Sequence, residues 1–157
     1  MPPLLRAFEP QILLTQLGCD THRLDPLAQL NLTVNAHRHS YAALHQLAHE
    51  VAGGHWVAVG GGGYEIVQVV PRSWTHLLAE ITGNPLDPDT ATPDSWLQLV
   101  QGRTGREGPK RLTDGTEPTY RAWDAGEGDP DDPVDRAIAA TRRAVFPELG
   151  LDPIDPR

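Results

Sequence analysis

Three places in this chain gather side chains that could do chemistry. The first is Cys19-Asp20-Thr21-His22, which sets a thiol, a carboxylate and an imidazole close together. The second is a histidine series, His37, His39, His45 and His49. The third is Gly60-Gly61-Gly62-Gly63-Tyr64-Glu65, a glycine run that ends on a phenol. A carboxylate beside an imidazole suits metal coordination or proton transfer. Histidines four apart on a helix share a face and could hold one cation. Glycines in series suit a phosphate cradle, a tight turn, or backbone that lines a narrow channel.

The neighbours of each group narrow these options. The glycine run does not fit G-x-G-x-x-G, and no lysine follows it as a Walker loop requires. Glu65 would place negative charge at the helix start, where a phosphate should sit. A plain strand-to-helix turn needs one or two glycines, not a run of them. In His45-Gln46-Leu47-Ala48-His49 a glutamine stands where a zincin carries its glutamate base, so the pair reads as solvated helix surface. His37 and His39, two apart on a helix, point in different directions. Cys19 has no basic neighbour before Arg23 to lower its pKa and reads as a small buried hydrophobe. Asp20 directly after a strand is commonly a cap or turn residue, yet with His22 it offers two potential ligands at a strand end.

The elements that must carry these groups follow an α/β order. Ile12–Leu17 is a short apolar run suited to a buried parallel strand. A helical pattern runs from about Asn35, a candidate N-cap, to Val51, with Tyr41, Leu44, Ala48 and Val51 on one stripe. Gly53-Gly54 ends it. Trp56–Gly60 reads as a second buried strand, and Ile66–Ile81 as a helix in which Pro71 marks a kink or the first turn. Strand, helix, strand, helix implies a parallel pair with a crossover. Ligands of such sheets sit beyond the carboxyl ends of the strands, where both the Cys19-Asp20 loop and the glycine run lie. Further on, Pro93 to Val100 reads as a short helix and the stretch from Gln101 to Pro118 as a loop. A last helix starts at Asp131 or Asp132 with Pro133 in its first turn, turning Ala137, Ile138, Thr141 and Val145 inward.

Composition divides the chain at about residue 85. All seven histidines precede that point, ten of the fifteen prolines follow it, and acidic residues split 6 against 15. Residues 1–85 therefore read as packed structure and 86–157 as an acidic, Pro/Gly-rich extension with one or two helices. A formal net charge of -8 argues against non-specific nucleic-acid binding. The single cysteine excludes an internal disulfide and fits a reducing, cytoplasmic setting. No apolar run is long enough to span a membrane.

With these elements in place, a resemblance emerges. Gln16, Gly18 and Asp20 after a strand, then Asn31-Leu32-Thr33 and a helix bearing His37, then Gly60 to Tyr64, then Arg72, Trp74 and Thr75, stand in the order of one family. The chain resembles the C-terminal portion of the zinc-dependent histone deacetylases, in particular their bacterial acetoin-utilisation branch, over residues 3–83. The resemblance implies the C-terminal part of an arginase/deacetylase-type α/β fold, a parallel sheet flanked by helices, truncated at the N-terminus. It gives Tyr64 the role of hydrogen-bonding the acetyl carbonyl and its oxyanion, and Asp20 that of a zinc ligand. Gly61, Gly62 and Gly63 line the channel for an acyl-lysine stem, and Leu27 lies near its rim.

The family's other zinc ligands lie on an Asp-x-His motif and its general base on a His-His pair. Both belong to earlier elements absent from this sequence, and Asp20-Thr21-His22 aligns with the later motif. The expectation is a fragment of an acetyl-lysine or acetylated-amine hydrolase, with weak or absent zinc binding and no activity alone. A non-enzymatic remnant or binding module of the same fold is the alternative, and a metal module built on the helix histidines a third. Its strands would expose open edges through which the chain associates.

Overall fold

The computed structural model describes residues 1–115 and 128–155. Two strands, β1 (Leu13–Gln16) and β2 (Trp56–Val59), pair in parallel with Leu13 opposite Trp56 and Gln16 opposite Val59. The expected strand–helix–strand order is present, and it is typical of a deacetylase-type α/β arrangement. Leu13 packs with Ala48 and Ala52 of the crossover helix, joined by Leu5, Val51 and Trp56. Helix α1 (Pro2–Phe8) precedes β1 and is tied to the crossover helix by the exposed Arg6–Glu50 pair.

That crossover helix, α2, runs Val34–Ala52. Tyr41 and Ala48 are buried and Leu44 and Val51 half-buried, as the stripe predicts. Its N-cap is Thr33 rather than Asn35: the Thr33 hydroxyl accepts the Ala36 N–H at 3.1 Å. Asn35 is instead buried in the first turn, where its Oδ1 accepts the Asp114 N–H at 3.0 Å. Gly53 closes the helix at φ 58°, a left-handed conformation that favours glycine.

Helix α3 spans Val70–Ile81, four residues shorter at its start than the apolar pattern suggests. Glu65 causes the difference. Its Oε1 accepts the N–H groups of Val67 and Gln68, and its carbonyl those of Val69 and Val70, which winds Ile66–Val69 into a separate turn. Pro71 then falls in the first turn of α3, where its missing N–H costs nothing.

Helix α4 (Asp94–Thr104) continues past Val100 and stops at Gly105, φ 67°. Residues 101–104, read as loop from their glycine and charges, are therefore helical. Helix α5 (Pro133–Val145) is capped by Asp132, which accepts the Val134 N–H, and passes into a 3-10 turn at Phe146–Leu149. The expected inward face is wrong here. Asp135, Ala139, Arg142 and Phe146 are the buried residues, while Ala137, Ile138 and Thr141 line an open groove of about 480 Å3 shared with Met1 and Leu4. Satisfied polar groups explain the reversal. Asp135 accepts the Asp129 N–H, and the Arg142 guanidinium donates to the Pro153 and Asp155 carbonyls while lying over the Phe146 ring.

Residues beyond 85 also enter the packing of α2 and α3. His76 Nε2–H donates to the Leu112 carbonyl, Arg72 Nη1 to that of Thr113, and the backbone of 110–112 pairs with 90–92. The opposite face of the sheet is bare among the described residues. Leu14 is 67 % exposed, Val57 46 % and Val59 43 %, whereas parallel strands normally carry such residues because both faces are covered.

Candidate active site at the strand ends

The loops that follow β1 and β2 leave the same end of the sheet and lock together. Leu17 N–H extends the ladder to the Val59 carbonyl at 2.8 Å, and Cys19 N–H reaches the Gly62 carbonyl at 2.7 Å. The Trp74 indole N–H braces them from α3 by donating to the Leu17 carbonyl.

This contact explains the glycines. A Cβ on Gly60 would meet the Trp74 ring at 3.1 Å, and one on Gly61 the Gln16 amide at 2.1 Å. On Gly62 it would lie 2.0 Å from Asp20 Oδ2, and on Gly63 2.6 Å from the Cys19 sulfur. On Gly18 it would meet the Gly62 nitrogen at 2.8 Å. The chain's own packing thus leaves no free room for a Cβ along the run, before any substrate is considered. Two backbones meet with Gln16, Asp20 and Cys19 filling the places of the missing side chains.

Of the groups in Cys19-Asp20-Thr21-His22, the structure leaves one free. Cys19 is fully buried, and burial pushes its thiol up to about 11, so it stays protonated. His22 is fully buried too. Its Nδ1 accepts the Leu24 N–H at 3.1 Å, so Nε2 carries the proton and donates to Asp114 Oδ2 at 2.9 Å. Asp20 is half-buried against Gly62 and Gly18, and among the described residues no donor reaches its carboxylate. An acceptor-only group in a fitted cradle without a donor suits a cation. A catalytic zinc takes about three protein ligands, and no cluster of three His, Cys, Asp or Glu able to hold a metal occurs among the described residues. Asp20 thus offers one carboxylate, and no such cluster includes it among the described residues.

Tyr64 follows the glycines with its side chain about half exposed and its hydroxyl unbonded among the described residues. Its backbone is fixed, because the Tyr64 N–H donates to Asp25 Oδ2 at 2.9 Å. Leu27, at 64 % exposure, stands on the adjoining loop.

Behind the loops lies a polar chain. His37 Nε2 is 2.8 Å from the Thr21 hydroxyl and Nδ1 3.0 Å from that of Ser73, which in turn meets Tyr41 Oη at 2.7 Å. Burial lowers His37 to about 4 and raises Tyr41 to about 12, so both are neutral at pH 7. His39, by contrast, is exposed. His45 stacks on Trp56 and its Nε2 lies 3.1 Å from that of the exposed His49, on a different side of α2 from His37.

Two residues of this region are not signalled by the sequence. Asp25, in Asp25-Pro26-Leu27, looks like an ordinary turn residue. Asp114, in Thr113-Asp114-Gly115, lies in a stretch that reads as loop. Yet Asp114 accepts from His22 Nε2, from the Val34 N–H at 2.8 Å and from Arg72 Nη2 at 2.8 Å, and these donors hold its carboxyl well below the usual range. Only long-range geometry reveals either.

The model of the histone deacetylase domain matches residues 1–81, just over half of the 157-residue chain. The acetoin utilization protein AcuC of Bacillus subtilis (strain 168) is 43 % identical over 90 residues, which is 57 % of this chain and 23 % of that protein. AcuC of Staphylococcus xylosus is 35 % identical over 99 residues, 63 % of this chain and 26 % of its own. AcuC of Staphylococcus aureus (strain Mu50) is 32 % identical over 112 residues, 71 % of this chain and 28 % of its own. The chain thus spans about a quarter of the length of these relatives. Among the described residues no helix is long and apolar enough to cross a membrane. Its paired strands, its glycine run ending on Tyr64 and its domain match place the chain in the histone deacetylase family, in an AcuC-like form.

Proposed function

We propose that this chain is the part of an AcuC-like deacetylase that carries the oxyanion-stabilising phenol and one zinc ligand, and that it does not hydrolyse substrate alone. One observation supports this above others. At the carboxyl ends of two adjacent parallel strands, Asp20 and Tyr64 keep their functional oxygens unbonded among the described residues, while His22 and Cys19 are committed to the fold. Asp20 would hold the zinc, which when bound supplies Lewis-acid polarisation of the carbonyl and activation of water. The Tyr64 hydroxyl would donate to the oxygen on which negative charge develops, and the tether on its backbone N–H sets where that side chain starts. Gly61, Gly62 and Gly63 present backbone instead of side chain toward the acyl-lysine stem, with Leu27 at the rim.

The substrate class is an acetyl-lysine protein or a small acetylated amine. A general base and the remaining ligands come from an Asp-x-His and a His-His motif carried on a complementary segment. The bare Leu14–Val57–Val59 face favours a second reading, a non-enzymatic binding module of the same fold.

An order of effects separates the two. With an AcuC-family segment bearing the missing motifs added, Asp20→Ala should lose bound zinc. Tyr64→Phe should keep zinc and lose turnover, and His45→Ala or His49→Ala should change neither. A binding module shows none of these differences.

A further inference from the structure

The carboxylate of Asp25 joins two loops that are remote in sequence. Its Oδ1 accepts the N–H groups of Leu27 at 2.9 Å and Ala28 at 3.2 Å, and its Oδ2 accepts that of Tyr64 at 2.9 Å. The first two bonds make an ordinary Asx turn, which stabilises only its own loop. The third has no such local purpose, since it spans 39 positions. Asp25 is 7 % exposed, so the bridge is sheltered from competing water. One rigid group thereby fixes the distance between the Leu27 side of the site and the backbone that aims the Tyr64 phenol.

The glycines make this bridge consequential. Gly61, Gly62 and Gly63 offer no Cβ contacts of their own, and the segment is held by the Cys19 N–H to Gly62 bond upstream and the Glu65 turn downstream. Between these two points, Tyr64 has one backbone tether among the described residues, and it is Asp25.

We propose that Asp25 is a positioning residue, setting the reach of the Tyr64 hydroxyl and its spacing from the Leu27 rim. The proposal rests on the deacetylase reading for its catalytic consequence but not for the tether itself. Asn in its place can keep one oxygen for the Leu27 and Ala28 N–H groups while turning an NH2 toward the Tyr64 N–H, so it cuts only the long bond.

The test has two arms on the full chain. In the first, hydrogen exchange of the Tyr64 amide is compared between wild type and Asp25→Asn, with Asp25→Ser as a second variant that retains a local turn should Asn fail to fold. Loss of protection at Tyr64 by about tenfold or more, with α2 and α3 unchanged, is expected. Unchanged protection overturns the proposal. In the second, the chain is combined with the complementary segment and acetyl-lysine peptide. Asp25→Asn should lower kcat by about ten- to a hundredfold with KM and zinc content little changed. It should have no further effect in a Tyr64→Phe background, because it acts through that phenol. An equal loss in both backgrounds overturns the proposal by making Asp25 merely structural. If the wild-type combination is inactive, the deacetylase reading fails while the exchange arm still decides the tether.

Discussion

Replacing Asp114 by alanine should cost this chain a large part of its stability. The residue lies in a stretch that composition assigns to an acidic extension, yet its carboxylate is the meeting point of His22, Arg72 and the first turn of α2. Alanine leaves the Arg72 guanidinium, 4 % exposed, without its anion, and removes the acceptors of the Val34 N–H and His22 Nε2. Breaking a buried ion pair from one side costs about 3–5 kcal/mol. The lower end applies here, because Arg72 retains the carbonyls of Gln68 and Thr113. Against a typical domain stability of about 5–15 kcal/mol that is a fifth to more than half of the total. With a urea dependence of about 1–3 kcal/mol per molar, about 3 kcal/mol moves the midpoint down by about 1 M or more. Equilibrium urea unfolding followed by tryptophan fluorescence measures it. Asp89→Ala, which cuts the exposed Arg111–Asp89 pair, serves as control and should leave the midpoint in place. An Asp114→Ala midpoint equal to wild type would refute the claim that this segment is part of the fold.

Acid should weaken the fold in two stages. Burial holds His37 at about 4, so between the ordinary imidazole value of 6.5 and that point the unfolded chain binds a proton that the folded chain refuses. Stability therefore falls as pH drops across that window, by up to about 3 kcal/mol, and His37→Gln should flatten this part of a urea-midpoint profile. Asp114, held below its ordinary 3.8, adds a further loss as pH falls below that value. Gly62→Ala should push the Asp20 carboxylate aside, since the added Cβ would lie 2.0 Å from Oδ2. In the combined protein, zinc content should fall sharply, whereas Gly53→Ala should cost about 1 kcal/mol of stability and leave zinc intact. The bare face and open edges of β1 and β2 should make the isolated chain associate in sedimentation. Leu14→Lys with Val57→Lys should reverse this, and a monomeric wild type would count against it.

How far the sequence reaches is clear from particular residues. Short apolar runs and the stripe between them were enough for β1, α2 and β2, because apolar residues dominate their packing. The glycine run and Asp20 stood out because their types and order are unusual. Where polar groups set the packing, pattern fails. Glu65 takes four N–H groups and delays α3, and Asp135 and Arg142 displace the apolar stripe of α5 by satisfying loop backbone. Asp25 and Asp114 are still less visible. Asp25 acts through a bond 39 positions away and Asp114 through bonds 42, 80 and 92 positions away, and nothing in a short window distinguishes such an aspartate from one that caps a turn.

The central claim is that Asp20 and Tyr64 form part of a deacetylase site that other residues must complete. It is tested most directly by hydrolysis of an acetyl-lysine peptide in the presence of zinc. The purified chain is assayed alone and then with an AcuC-family segment carrying the Asp-x-His and His-His motifs. The account predicts no turnover by the chain alone and turnover that appears on adding the segment and disappears with Asp20→Ala. Stoichiometric zinc and turnover in the chain by itself would contradict it, and would require a site built around His22 instead.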